Sequence, residues 1–176
     1  MNKRIIITGG LGYIGTELSK IYSGISWNNE ILVIDNRFVS ERVNQLRNWG
    51  IDFVHGDILD KELLNKHCKD ADVVHHLAGI TDVPRVKSES SENNDKKIKL
   101  TAEEGTQNLL DAISNKCKII FPSTHVVYEG IEKIQNNILE DEETKPILSY
   151  ASSKAFNEKQ LKNSGKNYII LRLGSV

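Results

Sequence analysis

The stretch Ile5-Ile6-Ile7-Thr8-Gly9-Gly10-Leu11-Gly12-Tyr13-Ile14-Gly15 constrains this chain more than any other. Three consecutive isoleucines are β-branched and stiff, and they suit a strand buried on both faces, as in a parallel sheet covered by helices. The glycines that follow predict a tight turn. Gly9 and Gly10 are expected to take backbone angles closed to other residues, Gly12 to remove a side chain that would block a pyrophosphate, and Gly15 to let the next helix lie close to the strand. A helix starting near Tyr13 would aim its free N–H groups and the positive end of its dipole at an anion. A second apolar run, Ile31-Leu32-Val33-Ile34, ends in Asp35. Its distance from the last glycine is the spacing of about 20 residues at which a carboxylate accepts hydrogen bonds from an adenosine ribose. The pattern predicts a dinucleotide-binding unit.

At 176 residues the chain suits one well-buried domain rather than two. Its hydrophobic content of 39% and charged content of 27% are those of a soluble globular protein, and no segment approaches the apolar length of a membrane span. Met1-Asn2-Lys3-Arg4 leads straight into the first strand without the apolar core of a signal peptide, so the expected compartment is the cytoplasm. With 23 basic against 24 acidic residues there is no net field to draw nucleic acid or an anionic membrane. Cys68 and Cys117 lack metal-ligand spacing and read as reduced, structural thiols. His75 and His76 are adjacent in a strand, face opposite sides, and cannot readily share a metal; both read as structural, and no metal site is expected.

Along the chain, strand and helix alternate six times. The helix after the glycine turn carries Ile14, Leu18 and Ile21 as its expected inward face, and Asp60 is positioned to cap a later helix. From about Val86 to Ser114 the chain turns polar and then strongly helical, with Ile98, Thr101, Ala102, Gly105, Leu109 and Ile113 as the inward stripe. Residues 125–148 form a long connection of the kind that often carries function, after which Ser149 is the expected cap of a helix from Tyr150 to about Asn163. Such alternation predicts an α/β fold, a doubly wound parallel sheet in three layers with strand order 3-2-1-4-5-6.

Tyr150 and Lys154 lie one helical turn apart and share a face. A free phenol is a poor base at neutral pH, and a neighbouring ammonium is expected to bring its pKa toward the working range. Thr124, at the end of the fifth strand, offers a hydroxyl to a substrate oxygen.

With these residues in place the chain resembles the extended short-chain dehydrogenase/reductases, in particular the NAD-dependent epimerase/dehydratase group acting on nucleotide sugars. The matching residues include the Thr8–Gly15 segment, Asp35-Asn36, Gly56-Asp57-Ile58, His76-Leu77-Ala78-Gly79 and Gly105-Thr106-Gln107-Asn108-Leu109-Leu110. Further along they are Ser123-Thr124, Val127-Tyr128, Pro146 with Tyr150 and Lys154, and Leu171-Arg172. The resemblance implies a Rossmann-type fold in which Gly9, Gly12, Tyr13, Ile14 and Gly15 hold the pyrophosphate and Asp35 and Asn36 the adenosine ribose. It places Asp57 and Ile58 beside adenine, has Leu77, Ala78 and Gly79 line the cofactor, and sets Tyr150 and Lys154 at its nicotinamide end. Tyr150 is then the base, Thr124 its hydroxyl partner, and Lys154 the third catalytic residue. The implied reaction is epimerisation through transient oxidation of a sugar hydroxyl, and the implied assembly is a homodimer joined through a four-helix bundle. Asp35 favours NAD over NADP, because a carboxylate repels a 2′-phosphate; Arg37 works the other way.

Departures from the family pattern refine this reading. Ala102 stands where relatives often carry Asn, which implies one missing cofactor or water contact. His125-Val126 replaces the Asp-Glu pair of sugar dehydratases, which disfavours elimination of water. Relatives continue beyond the sixth strand into a substrate-binding region, and Ser175 stands where many have Asn, so residues 1–176 are expected to be the cofactor-binding domain without that region. The alternatives are a keto-sugar reductase, which Val127-Tyr128-Glu129-Gly130 also resembles, a dehydratase, and a dinucleotide-binding module or truncated remnant without turnover.

Overall fold

A computed structural model describes residues 2–25, 28–81, 91–132 and 137–174. Val86 and Ser175 lie outside the described residues. The elements follow the order β1 (Arg4–Thr8), α1 (Tyr13–Gly24), β2 (Glu30–Asp35), α2 (Ser40–Asn48), β3 (Asp52–His55), α3 (Lys61–Cys68) and β4 (Val73–His76). Then come α4 (Glu92–Leu100), a π-helical turn (Thr101–Gly105), α5 (Thr106–Ala112), β5 (Lys118–Thr124), a 3₁₀ turn (His125–Tyr128), α6 (Ser149–Asn163) and β6 (Asn167–Leu173). The strands form one parallel sheet in the order β3-β2-β1-β4-β5-β6, as the alternation required.

The isoleucine run shows why the sheet is covered on both sides. Ile6 packs with Leu64, Leu109, Phe121 and Leu161 under α3, α5 and α6, whereas Ile5 and Ile7 pack with Leu11, Val43 and Leu46 under α1 and α2. Each of the three isoleucines of β1 therefore removes apolar surface from water on one face or the other. Cys68 and Cys117 are free and buried, and burial pushes their thiols up to about 12 and about 11, so both are inert. No described helix is long and apolar enough to cross a membrane.

Three local expectations are corrected. Ile14 and Ile21 of α1 point outward, at 42% and 60% exposure, while Gly15 and Ser19 face the sheet. The helix lies so close to the glycine turn that a Cβ on Gly15 would stand 2.5 Å from the Gly10 Cα, so only small residues fit its inner face. Gly10 itself does not take a positive φ; its need is steric, since a Cβ there would sit 2.5 Å from Val33 Cγ1. Asp60 does cap α3 by accepting from the Leu63 N–H, but Ser149 is the first residue of α6 rather than its cap.

The entry to α6 is fixed instead from the long connection. Glu129 Oε1 accepts from the backbone N–H groups of Ile147 and Leu148, each at 2.6 Å. The Gly130 N–H donates to Lys145 O and the Lys145 N–H to Val127 O, both at 2.8 Å, and these bonds close the base of the loop. The connection therefore sets where α6 begins, and with it the position of Tyr150.

Candidate functional site

All six strands end at one cleft of about 770 Å³, which opens where the strand order reverses between β1 and β4. That is where open α/β sheets take their ligands. Gly9, Gly12, Tyr13, Ile14, Gly15, Asp35, Asn36, Asp57, Ile58, Leu77, Ala78, Gly79, Thr124, Tyr150 and Lys154 all line it, so the sites expected from sequence are brought together. Arg42, Thr101, Pro122, Ser123, Leu173 and Gly174 line it too, and sequence reasoning gave none of them a role there.

At the glycine end the positions differ in what they require. Gly9 has φ +69° and its Cβ would stand 2.6 Å from the Ala78 nitrogen, so the fold itself demands glycine. Gly12 has φ −72° and ψ 174°, open to any residue, and its Cβ would meet only Gly9 O at 3.1 Å and Arg37 Nη2 at 3.9 Å. The fold presses on this position far less than on Gly9: a side chain would ask the Gly9 carbonyl to give by a few tenths of an ångström. Gly12 is also the N-cap of α1, where no side chain takes up the first N–H groups and no acidic residue occupies the first turn. These donors and the helix dipole are left to an anion, and Gly12 leaves the approach open to it.

Asp35 is buried at 4% exposure, and its carboxylate has partners on both oxygens. Oδ2 accepts from the Leu11 N–H at 2.9 Å, and Oδ1 accepts from the Arg37 N–H at 3.0 Å and Arg37 Nε at 3.3 Å. Asp35 thus ties the glycine turn to the end of β2, a role additional to any contact with a ribose. Asn36 Nδ2 donates to Asp57 Oδ2 at 2.9 Å, joining the ends of β2 and β3, and Arg42 donates to Leu11 O.

The floor between the two ends is held by His76. Its ring nitrogens engage Thr8 Oγ1 at 2.9 Å and Thr106 Oγ1 at 3.0 Å, and Thr8 Oγ1 in turn accepts from the Ala78 N–H at 3.3 Å. His75 faces the opposite side and meets the Tyr22 hydroxyl at 2.7 Å, so each histidine ring is held by hydroxyl partners on its own face of the sheet.

At the far end, Lys154 Nζ donates to Pro122 O at 2.9 Å, 4.5 Å from the Phe121 ring centroid and 6.0 Å from that of Tyr150. Burial, with no carboxylate among the described residues paired to it, lowers the Lys154 ammonium to about 8. The expected activation of the phenol is corrected here: burial raises Tyr150 above its ordinary value, while the Lys154 ammonium, which sits over the ring, donates to Pro122 O. Thr124, nearly buried, accepts the Val126 N–H at 3.3 Å through Oγ1.

A charged network missed from sequence braces this end. Glu158, 2% exposed, accepts from Ser123 Oγ at 2.6 Å, from Arg172 Nε at 3.0 Å and from Arg172 Nη2 at 2.6 Å. Burial pushes its carboxyl up, but the bonds from Arg172 and Ser123 outweigh that and hold it below the usual value. Arg172 also reaches the Tyr128 hydroxyl and Glu140 O, so β5, β6, α6 and the long connection meet at one guanidinium. The i, i+4 series Tyr150, Lys154, Glu158 was the available signal.

Fold and cleft define a doubly wound α/β domain of Rossmann type, with its ligand cleft at the switch point. The chain belongs to the NAD dependent epimerase/dehydratase family, whose model matches residues 5–176. It is 32% identical to a UDP-glucose 4-epimerase of Mycoplasma genitalium, a match covering 98% of this chain and 52% of that protein. Among solved structures, UDP-glucose 4-epimerase from Brucella ovis in complex with NAD superposes with a TM-score of 0.76 at 30% identity, covering 97% of this chain and 51% of that one. UDP-glucuronic acid 4-epimerase from Bacillus cereus, in complex with UDP-glucuronic acid and NAD, gives 0.76 at 26% identity, covering 96% and 55%. The chain spans about half or less of the length of the curated relatives it matches.

Proposed function

We propose that the cleft binds NAD and that the chain is the dinucleotide-binding part of a nucleotide-sugar epimerase, with turnover belonging to the whole protein. The observation that carries the reading is Gly12, a glycine in a conformation open to any residue, set at an uncapped helix N-terminus within the cleft. The solved relatives described as NAD complexes support the choice of cofactor.

The backbone of Gly9, Gly12, Tyr13, Ile14 and Gly15 would hold the pyrophosphate, Asp35 and Asn36 the adenosine ribose, and Asp57 and Ile58 the adenine. Leu77, Ala78 and Gly79 would line the middle, and Tyr150 and Lys154 the nicotinamide ribose. When bound, the nicotinamide supplies a reversible hydride acceptor. Tyr150 exchanges a proton with a sugar hydroxyl, and Thr124 orients that hydroxyl from the end of β5. Buried and without a carboxylate partner among the described residues, Lys154 is poised to turn from Pro122 O toward an oxygen entering the cleft; that would stabilise a phenolate at Tyr150 and reverse the effect of burial.

Fluorescence titration with NADH and, separately, NADPH tests the cofactor. NADH should bind at least about tenfold more tightly, since a 2′-phosphate meets the Asp35 carboxylate; equal affinity would show that Arg37 cancels that carboxylate. In the whole protein Tyr150→Phe, which removes one oxygen, should lower turnover of UDP-sugars by at least about a hundredfold, and turnover near the unaltered level would remove Tyr150 from the mechanism.

We also propose a homodimer through α4–α6. Leu100 and Phe156 there are 44% and 40% exposed, and a groove of about 720 Å³ runs between α5 and α6. A monomeric sedimentation mass would overturn it.

A further inference from the structure

Thr124 ends β5 and Tyr150 is the second residue of α6, and the long connection lies between them. Proton exchange at a hydroxyl that a second side chain orients requires the two groups to keep their separation, since a displacement of about 1 Å can cost a hundredfold in rate. The entry of α6 must therefore be fixed against the end of β5.

One side chain spans that gap. Thr124 Oγ1 accepts from the Val126 N–H and so caps the 3₁₀ turn His125–Tyr128 at its start. Glu129 closes the same turn, its N–H donating to Val126 O at 3.1 Å, so its backbone is tied to that of Thr124 through a single turn. From there its Oε1 accepts from the N–H groups of Ile147 and Leu148, both at 2.6 Å. Leu148 is the N-cap of α6 and has no polar side chain of its own to cap the helix. A carboxylate there makes charge-assisted bonds and faces the positive end of the helix dipole. Backbone bonds close the loop only as far as Lys145. Beyond it Pro146 has no N–H to give and Ile147 is 58% exposed, so Glu129 is the polar anchor of the approach to Tyr150.

We propose that Glu129 is a positioning residue for proton transfer: by holding Ile147 and Leu148 it sets the Tyr150 hydroxyl against that of Thr124. The proposal rests on the reading of Tyr150 as the base. Neither cofactor nor substrate need touch Glu129 for it to act.

Amide exchange followed by NMR in the 176-residue protein tests the anchor. Exchange at Ile147 and Leu148 should quicken at least about tenfold in Glu129→Ala and much less in Glu129→Gln, which keeps an acceptor oxygen. Turnover in the whole protein, with NAD and UDP-glucose as the probe, tests the consequence. Glu129→Ala should lower kcat at least about thirtyfold while KM and NADH affinity stay within about threefold, because only the transition state needs the alignment. Glu129→Gln should recover most of that loss. In a Tyr150→Phe background, Glu129→Ala should cost no more than about threefold further. Should Glu129→Ala fail to fold, Glu129→Asp, one methylene shorter, should still lower kcat at least about fivefold with KM unmoved. Unchanged exchange at Ile147 and Leu148, a kcat within about threefold of the unaltered protein, or equal losses in both backgrounds would each overturn the proposal. Full turnover in Tyr150→Phe alone removes the reading of Tyr150, and this proposal with it.

Discussion

Gly12→Val should leave the protein folded and weaken NADH by at least about a hundredfold, roughly 3 kcal/mol. The backbone at Gly12 has φ −72°, which valine tolerates, and the nearest atom a Cβ would meet is Gly9 O at 3.1 Å, which must give by a few tenths of an ångström. Circular dichroism and the thermal midpoint should therefore change far less than in Gly9→Val. The branched side chain instead occupies the space over the first turn of α1, where uncapped N–H groups would meet a pyrophosphate. Gly9→Val is the control of opposite kind. With φ +69° and a Cβ 2.6 Å from the Ala78 backbone nitrogen, it has no relaxed position, and the fold should fail before binding can be measured. Unaltered NADH affinity in Gly12→Val would mean that no phosphate approaches this loop.

That contrast shows what the sequence carried and what it did not. Strand order and cleft membership were legible because they follow from alternation: when β-branched runs alternate with amphipathic stretches, each strand's end delivers its turn residues to one edge of the sheet. Interactions between distant segments were not. The inward side of α1 is Gly15 and Ser19 because the helix crowds the turn, and a search for apolar periodicity marks Ile14 and Ile21 instead. Fixing of the entry to α6 by Glu129, the Glu158–Arg172 pair and the π turn all depend on partners far along the chain, which no local window records. The direction of the Tyr150 shift was misjudged for a related reason. Sequence places an ammonium one turn away, but only the fold shows that Pro122 O holds it and that burial prevails.

Buried histidines make the second large effect a loss of stability in mild acid. Burial lowers His75 to about 4, and burial together with the nearby Lys154 ammonium lowers His76 to about 3, against an ordinary value near 6.5. Below pH 6.5 the unfolded chain takes up both protons while the folded protein takes up neither, so the unfolded state gains as pH falls. The stability is fully present above about pH 6.5 and drains away as pH drops toward 4 for His75 and 3 for His76. Each group costs roughly 1.4 kcal/mol per pH unit over its window, and the two together roughly 2.5 kcal/mol per pH unit near pH 5. Against a total stability on the order of 10 kcal/mol, that slope brings unfolding within reach of pH 4. Glu158, held below the usual carboxylate value, adds to the loss only once pH falls below about 4.5. Urea denaturation from pH 8 to pH 4 measures the slope directly, and His75→Asn, which can still bond the Tyr22 hydroxyl, should remove about one proton from it. A flat stability profile between pH 7 and 5, or ring resonances of His76 titrating near 6.5, would show that the floor of the cleft is open to water and not the sealed Thr8–His76–Thr106 bridge that now holds Ala78 in place.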